Sequence, residues 1–168
     1  TPVDGFRFRS RMYSLYHSLL AQHPRQLTPI HCAPSTIAQL HRYFEDVVIE
    51  NNLSALVIEN LPTAPQRTAR ETARMKEVAK AARDLFLFVS LNDPLSRLVL
   101  AGSKERQPVV VRHQGEVDER FVVIADGRFS ALLASIHPEG PDNLSGGDLM
   151  VWTFEPDVVY SALEYLMA

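Results

Sequence analysis

The chain has 168 residues, 46% hydrophobic and 22% charged, which fits one soluble domain able to bury most of the surface its unfolded form exposes. A net charge of −3 supplies no global basic field for phosphate backbones, so no direct nucleic-acid partner is expected. The single cysteine, Cys32, excludes an internal disulfide and a multi-cysteine metal site and points to a reducing, cytoplasmic compartment, and the apolar runs fall far short of the roughly 20 residues that cross a bilayer.

From about Phe6 to His23, apolar side chains recur at helical spacing (Met12, Leu15, Tyr16, Leu19, Leu20) and stop before Pro24, which predicts a first amphipathic helix. Residues 1–24 are read as this helix and as a candidate linker or dimerisation segment. Arg25 to Pro34 reads as a short edge strand or a loop. In the next segment Thr36 and Gln39 form a capping-box pattern ahead of Ile37, Leu40, Phe44, Val47 and Val48 on one face, so a second helix runs to Asn51-Asn52.

Leu53 to Glu59 is a strand-like run closed by Asn60 and Pro62. A long helix from about Pro65 to Asp84 follows, rich in alanine, whose small side chains let its axis lie close to a sheet. Leu85 to Leu91 is the next strand, and the helix between the two makes them parallel members of a right-handed βαβ unit.

Past Asn92-Asp93-Pro94 the segments shorten into a strand at Pro108 to His113, a hairpin, and a strand at Asp148 to Phe154, which reads as an antiparallel meander. Asp126-Gly127 divides two apolar runs, Phe121 to Ala125 and Phe129 to Ala134, and predicts a hairpin with a type I′ turn. Both arms are apolar at odd and even positions, as in a strand covered on both faces, which places them at the centre of the sheet. Pro138 to Gly147 is an exposed loop. A last helix starts at Pro156, flanked by Glu155 and Asp157, with Val159, Leu163 and Leu166 on its inner face. The fold class is therefore α/β, a mixed α+β sheet with helices packed on it and a helix at each end. The open end of the last helix and the missing initiator methionine predict a piece cut from a larger protein.

Chemistry-bearing clusters are few. His31 and Cys32, with His17, His23 and His41 near in sequence, lack the paired spacing of a structural zinc site, so no metal site is expected and these read as scattered histidines and a half-buried thiol. Cys32 is a candidate for oxidation or covalent attachment. Arg67, Arg70 and Arg74 share one helical stripe, able to bind an anion or to form a solvated face balanced by Glu71, Glu77 and Asp84. Trp152 and Phe154 share one side of a strand, as core residues or as the floor of a pocket. Asp118 and Glu119 are adjacent on an extended chain and point to opposite faces. No phosphate loop, dinucleotide fingerprint, nucleophile elbow or kinase signature occurs, and no motif names a cofactor.

Glu59 closing the strand from Leu53-Ser-Ala-Leu56, the helix with Arg67 and Arg74, Leu85-Phe-Leu-Phe88, Arg120-Phe-Val-Val123, Ser130-Ala-Leu-Leu133 and Trp152-Thr-Phe-Glu-Pro-Asp157 together resemble the DICT sensory domain of bacterial diguanylate cyclases and two-component systems. The resemblance covers Ser35 to the end. It implies a regulatory input module without catalysis of its own, partnered by a histidine kinase, a cyclase or a transcription regulator, and binding an unidentified small molecule or chromophore if it binds a ligand.

The expected ligand site lies between the sheet and the alanine-rich helix, at Glu59, Arg67, Arg70, Arg74, Trp152 and Phe154. The apolar stripes of the terminal helices suggest a homodimer and a route for passing packing changes to a neighbour. Two other readings stand beside this one. One is a small hydrolase or transferase drawing on His113, Asp118, Glu119 and His137; the other is a dimerisation or scaffold domain with a filled core and an apolar surface patch.

Overall fold

The computed structural model describes residues 14–62, 64, 66–90, 92–97, 109–113, 119–138 and 147–167, with the backbone alone at 96 and 109–113. In chain order these form α1 (Leu15–Gln22), β1 (Ile30–Cys32), α2 (Pro34–Glu50), β2 (Leu56–Asn60), α3 (Ala69–Ala81), β3 (Asp84–Ser90), a 3-10 turn (Pro94–Arg97), β4 (Val109–His113), β5 (Glu119–Ala125), β6 (Ser130–Ile136), β7 (Asp148–Thr153) and α4 (Pro156–Leu166). The strands make one mixed sheet in the order β1-β7-β6-β5-β2-β3-β4.

β2 and β3 run parallel across α3, as the βαβ pattern predicts, and β5-β6-β7 is an antiparallel meander. β4 does not join that meander: it lies parallel to β3 at the far edge of the sheet. Three residues of β1 close the opposite edge, antiparallel to β7, so the segment before Pro34 includes a short edge strand.

The two-sided apolar character of β5 and β6 has a direct structural counterpart. Val122, Ile124, Ala131 and Leu133 pack under α2 and α3, whereas Phe121, Val123, Leu132 and Ala134 pack on α1 and α4. The hairpin is central and both of its faces are covered, giving helix-sheet-helix layers. α1 and α4 place Leu15, Tyr16, Leu19, Val158, Val159, Ala162 and Leu166 against the sheet, so their apolar stripes face their own core.

Three local expectations are corrected. Ala125 pairs with Ser130, and neither Asp126 nor Arg128 has positive φ, so the hairpin has no type I′ turn. Instead the Asp126 carboxylate accepts from Arg128 N at 2.6 Å and Phe129 N at 2.7 Å, and the side chain sets the turn. Ala33, not Thr36, caps α2, and Pro34 occupies the first turn. The long helix begins at Ala69, where the Thr68 hydroxyl accepts from Glu71 N, and ends at Ala81. The portion of the first helix placed before residue 14, Asp118, and residues 139–146 of the expected exposed loop lie outside the described residues.

Candidate functional site

The buried face of α2 carries Ile37, His41, Glu45 and Val48, so a histidine and an acid replace apolar residues in the middle of its stripe. Spaced by four, they lie one turn apart on the side facing the sheet. Glu59, in β2, points up from the same sheet face as its neighbour Val57, which packs in the core below α2 and α3. The three side chains meet with exposures of 1%, 2% and 0%. His41 Nε2 is hydrogen-bonded to Glu59 Oε1 and stands 3.7 Å from Glu45 Oε2.

Burial dominates the chemistry of this cluster. It pushes the Glu45 carboxyl up to about 8, helped by the neighbouring Glu59 charge and opposed by His41 and Arg74. It also raises Glu59, against the pull of Glu45, Arg120 and Arg74, and lowers His41 to about 4 despite the attraction of Glu45. Glu45 Oε2, Glu59 Oε2 and His41 Nδ1 have no hydrogen-bond partner. As carboxylates, Glu45 and Glu59 can only accept, so a bond between them needs a shared proton.

Above the cluster a pocket of about 290 Å³ opens between α2 and α3, lined in part by His41, Arg42, Glu45, Arg67, Arg74 and Arg120. It lies beyond the carboxyl end of β2, where β5 on one side is antiparallel and β3 on the other is parallel. Leu61 and Pro62, just past β2, and Arg120, near the start of β5, line it there. Arg74 joins the two helices: Nε donates to Glu45 Oε1 at 2.9 Å, and Nη2 donates to Asp46 Oδ1 at 2.7 Å and to the Arg42 carbonyl at 2.8 Å. Arg67 is clamped by Asp93, through Nε at 3.0 Å and Nη2 at 2.5 Å. Asp93 also accepts from Leu95 N at 2.9 Å and Ala64 N at 3.2 Å. Arg120 and Arg42 supply further positive charge, and burial lowers the Arg120 guanidinium while Glu45 and Glu59 attract it.

Of the residues named from sequence, Arg67 and Arg74 line this pocket and Glu59 lies sealed beneath it, bonded to His41. Arg67 precedes the Thr68 cap of α3, so the three arginines do not share one helical stripe, and Arg70 is exposed outside the pocket. Trp152 and Phe154 lie elsewhere, 49% and 52% exposed, so neither is core. Phe154 stacks on Phe44 at 5.9 Å and contacts Phe129 and Trp152, an aromatic group at the β7 side of the sheet. Cys32 is half-buried in β1 opposite Asp148. A Cβ added at Gly147 would lie 3.0 Å from the Cys32 carbonyl, so the backbones approach closely there.

The residues of the hydrolase reading are dispersed in role. Glu119 is buried and accepts from two backbone amides of α1, whereas His137 is exposed and paired with Asp148 at 2.7 Å. Both line a second hollow of about 240 Å³ that adjoins the first through Pro62 and Arg120. The side chain of His113 lies outside the described residues. A wider cleft of about 650 Å³ at the opposite end of the sheet is lined by Asn52, Arg83, the hairpin turn and Tyr160, and gathers no buried ionisable cluster.

From sequence, His41 reads as one of several scattered histidines, although it is buried, Arg120 enters only within the resemblance, and Glu45 is not singled out. The detectable signal was two polar residues at i, i+4 within the apolar stripe Ile37 to Val48.

No family model and no curated protein matches the chain. Among solved structures, TrmBL2, an archaeal chromatin protein, is similar with a TM-score of 0.51 at 9% identity over 89% of this chain. The match takes in 57% of TrmBL2, less than two thirds of its length. NucT from Helicobacter pylori gives 0.46 at 13% identity, over 83% of this chain and 91% of that one. The polyphosphate kinase from Porphyromonas gingivalis gives 0.47 at 15%, over 88% and 27%. The likeness to TrmBL2 is one of fold alone.

Proposed function

We propose that this chain is a non-catalytic sensory or regulatory input domain of a bacterial signal-transduction protein, and that it binds a small acidic molecule in the pocket between α2 and α3. The observation that carries this reading is the gathering of Arg42, Arg67, Arg74 and Arg120 around a concave opening that His41 and Glu45 also line, with Glu59 bonded to His41 beneath it. Guanidinium groups recognise carboxylate and phosphate through paired, planar donors, and partial burial strengthens that recognition. Arg67 and Arg74 are already held in place by Asp93 and by Glu45 and Asp46, so much of their ordering cost precedes ligand binding. The resemblance to DICT domains agrees with an input role and an output partner. The DNA binding of TrmBL2 is not carried over to this chain, because fold does not fix function.

A ligand drawn between the helices would change how α2 and α3 pack on the sheet, and a packing change is what an output region can read. The test is thermal unfolding of the chelator-treated protein with inorganic phosphate and with succinate, beside native mass spectrometry of protein from its own host. The expected result is stabilisation by an anion that Arg120→Gln removes. No stabilisation by either anion, with no retained small molecule, overturns the reading.

One observation favours a second reading, that of a protein-interaction domain. Ile30, Trp152 and Phe154 are large apolar side chains exposed near the β1–β7 edge of the sheet. Exposed apolar groups of this size are common at binding surfaces. Retention of a partner that Trp152→Ala abolishes while Arg120→Gln does not would favour it.

A further inference from the structure

We propose that His41, Glu45 and Glu59 form a binding site for one divalent transition-metal ion of the Zn²⁺ type. Each residue offers a donor atom, and the three atoms lie within 4.8 Å of one another. Imidazole with carboxylate oxygen is a donor set suited to Zn²⁺, with bonds of about 2.0–2.2 Å. Two such bonds at a tetrahedral angle put donors roughly 3.4 Å apart, close to the 3.7 Å between His41 Nε2 and Glu45 Oε2. His41 Nε2 and Glu59 Oε1 are closer, in direct hydrogen bond, so an ion takes the place of that bond and the Glu59 carboxylate draws back to ligate it.

Burial supplies an independent reason for a cation. Glu45 Oε2 and Glu59 Oε2 are both sealed from solvent and neither receives a hydrogen bond. An isolated buried carboxylate oxygen is costly, and two side by side repel. The pair tolerates burial only with a shared proton or a cation between its oxygens, and a dication displaces that proton, satisfies both oxygens and cancels their charge.

The surroundings fit the same assignment. Arg74 Nε engages Glu45 Oε1 at 2.9 Å, which orients the carboxylate and leaves its other oxygen for the metal, as an outer-shell partner does. His41 and Glu45 also line the pocket, so the site borders the space that the arginines surround. With the two carboxylates neutralised by metal, Arg120 and Arg42 retain their charge for an incoming anion. The site stands on the triad's own geometry and does not need the anion reading to be correct.

The test uses the full chain after chelator treatment, titrated with Zn²⁺ by calorimetry and with Co²⁺ by visible absorption. One equivalent of Zn²⁺ and intense Co²⁺ d–d bands are expected. Glu59→Gln and Glu45→Gln should weaken Zn²⁺ by more than the ~10–100-fold that loss of an outer-shell partner costs. His23→Gln, a distant histidine bonded to Gln26 and Ser161, should change nothing. Failure of the wild-type protein to bind, or undiminished binding by a folded Glu59→Gln variant, overturns the site.

Should the glutamine variants not fold, a Zn²⁺-soaked wild-type crystal decides. An anomalous peak between His41 Nε2 and the two carboxylates supports the assignment, and a peak elsewhere or none overturns it. Metal binding without any anion effect sustains this site while removing the acidic-ligand reading. Anion binding by a protein that ignores Zn²⁺ does the reverse.

Discussion

Glu119 caps α1 from 104 residues away: its Oε1 accepts from Leu15 N at 3.2 Å and its Oε2 from Tyr16 N at 3.3 Å. The first amides of a helix have no partner inside it, and a carboxylate there also meets the positive end of the helix dipole. Adjacent Ser14 takes His17 N through its hydroxyl at 3.0 Å. A helix of eight residues has little stability of its own, so this anchoring helps decide whether it forms. Glu119→Gln should lower stability by about 1–2 kcal/mol, read as a shifted urea midpoint.

Tyr16 is the converse case. Its ring is buried, but its hydroxyl has no hydrogen-bond partner, and burial raises its pKa. Tyr16→Phe removes an unsatisfied polar atom and keeps the ring, so it should leave stability unchanged or raise it by ~1 kcal/mol. A loss of about 2 kcal/mol or more in denaturant melts would contradict this.

Asp93 carries a pH signature. Burial pushes its carboxyl up, but Arg67 and the amides of Leu95 and Ala64 outweigh that, and the net pKa falls below the ordinary value. A depressed folded pKa adds stability above the unfolded pKa of about 3.9, and that stability disappears as pH falls through the folded value. Asp93→Asn should cost about 2–3 kcal/mol at neutral pH, because it leaves Arg67 without its main counter-charge. The gap between variant and wild type should narrow below about pH 4. Urea melts from neutral pH down to about pH 3 measure both effects.

Trp152 is the sole tryptophan, and about half of it is exposed. Its fluorescence should be red-shifted and readily quenched by iodide. Trp152→Ala should cost no more than ~1 kcal/mol, in contrast to the roughly 3–5 kcal/mol expected for Phe121→Ala in the sealed core.

The layered fold was legible because period-two alternation, helical stripes and the Ala-rich crossover all reflect burial, and burial acts locally on each element. β5 and β6 could be placed at the centre from their two-sided apolar character alone. β1 could not be assigned firmly, since three residues carry no period. The parallel pairing of β4 with β3 depends on a partner that no local pattern names. Trp152 shows a further limit: alternation tells which face a side chain occupies, but not whether a helix extends far enough to cover it. The candidate site was half visible for the same reason. Glu59, Arg67 and Arg74 stood out as charges beside apolar runs, whereas His41 and Glu45 matter only because α2 turns them onto Glu59, eighteen residues further along the chain from His41.

The brevity of β1 has a consequence for the molecule among its own copies. Ile30 to Cys32 sits between Pro29 and Pro34, so its outer rim offers very few amide donors and is broken by an imide at either end. A neighbouring chain trying to extend the sheet on that side would find too short a template for cross-β growth. Crowded molecules are thus kept from stacking into fibrils through this border.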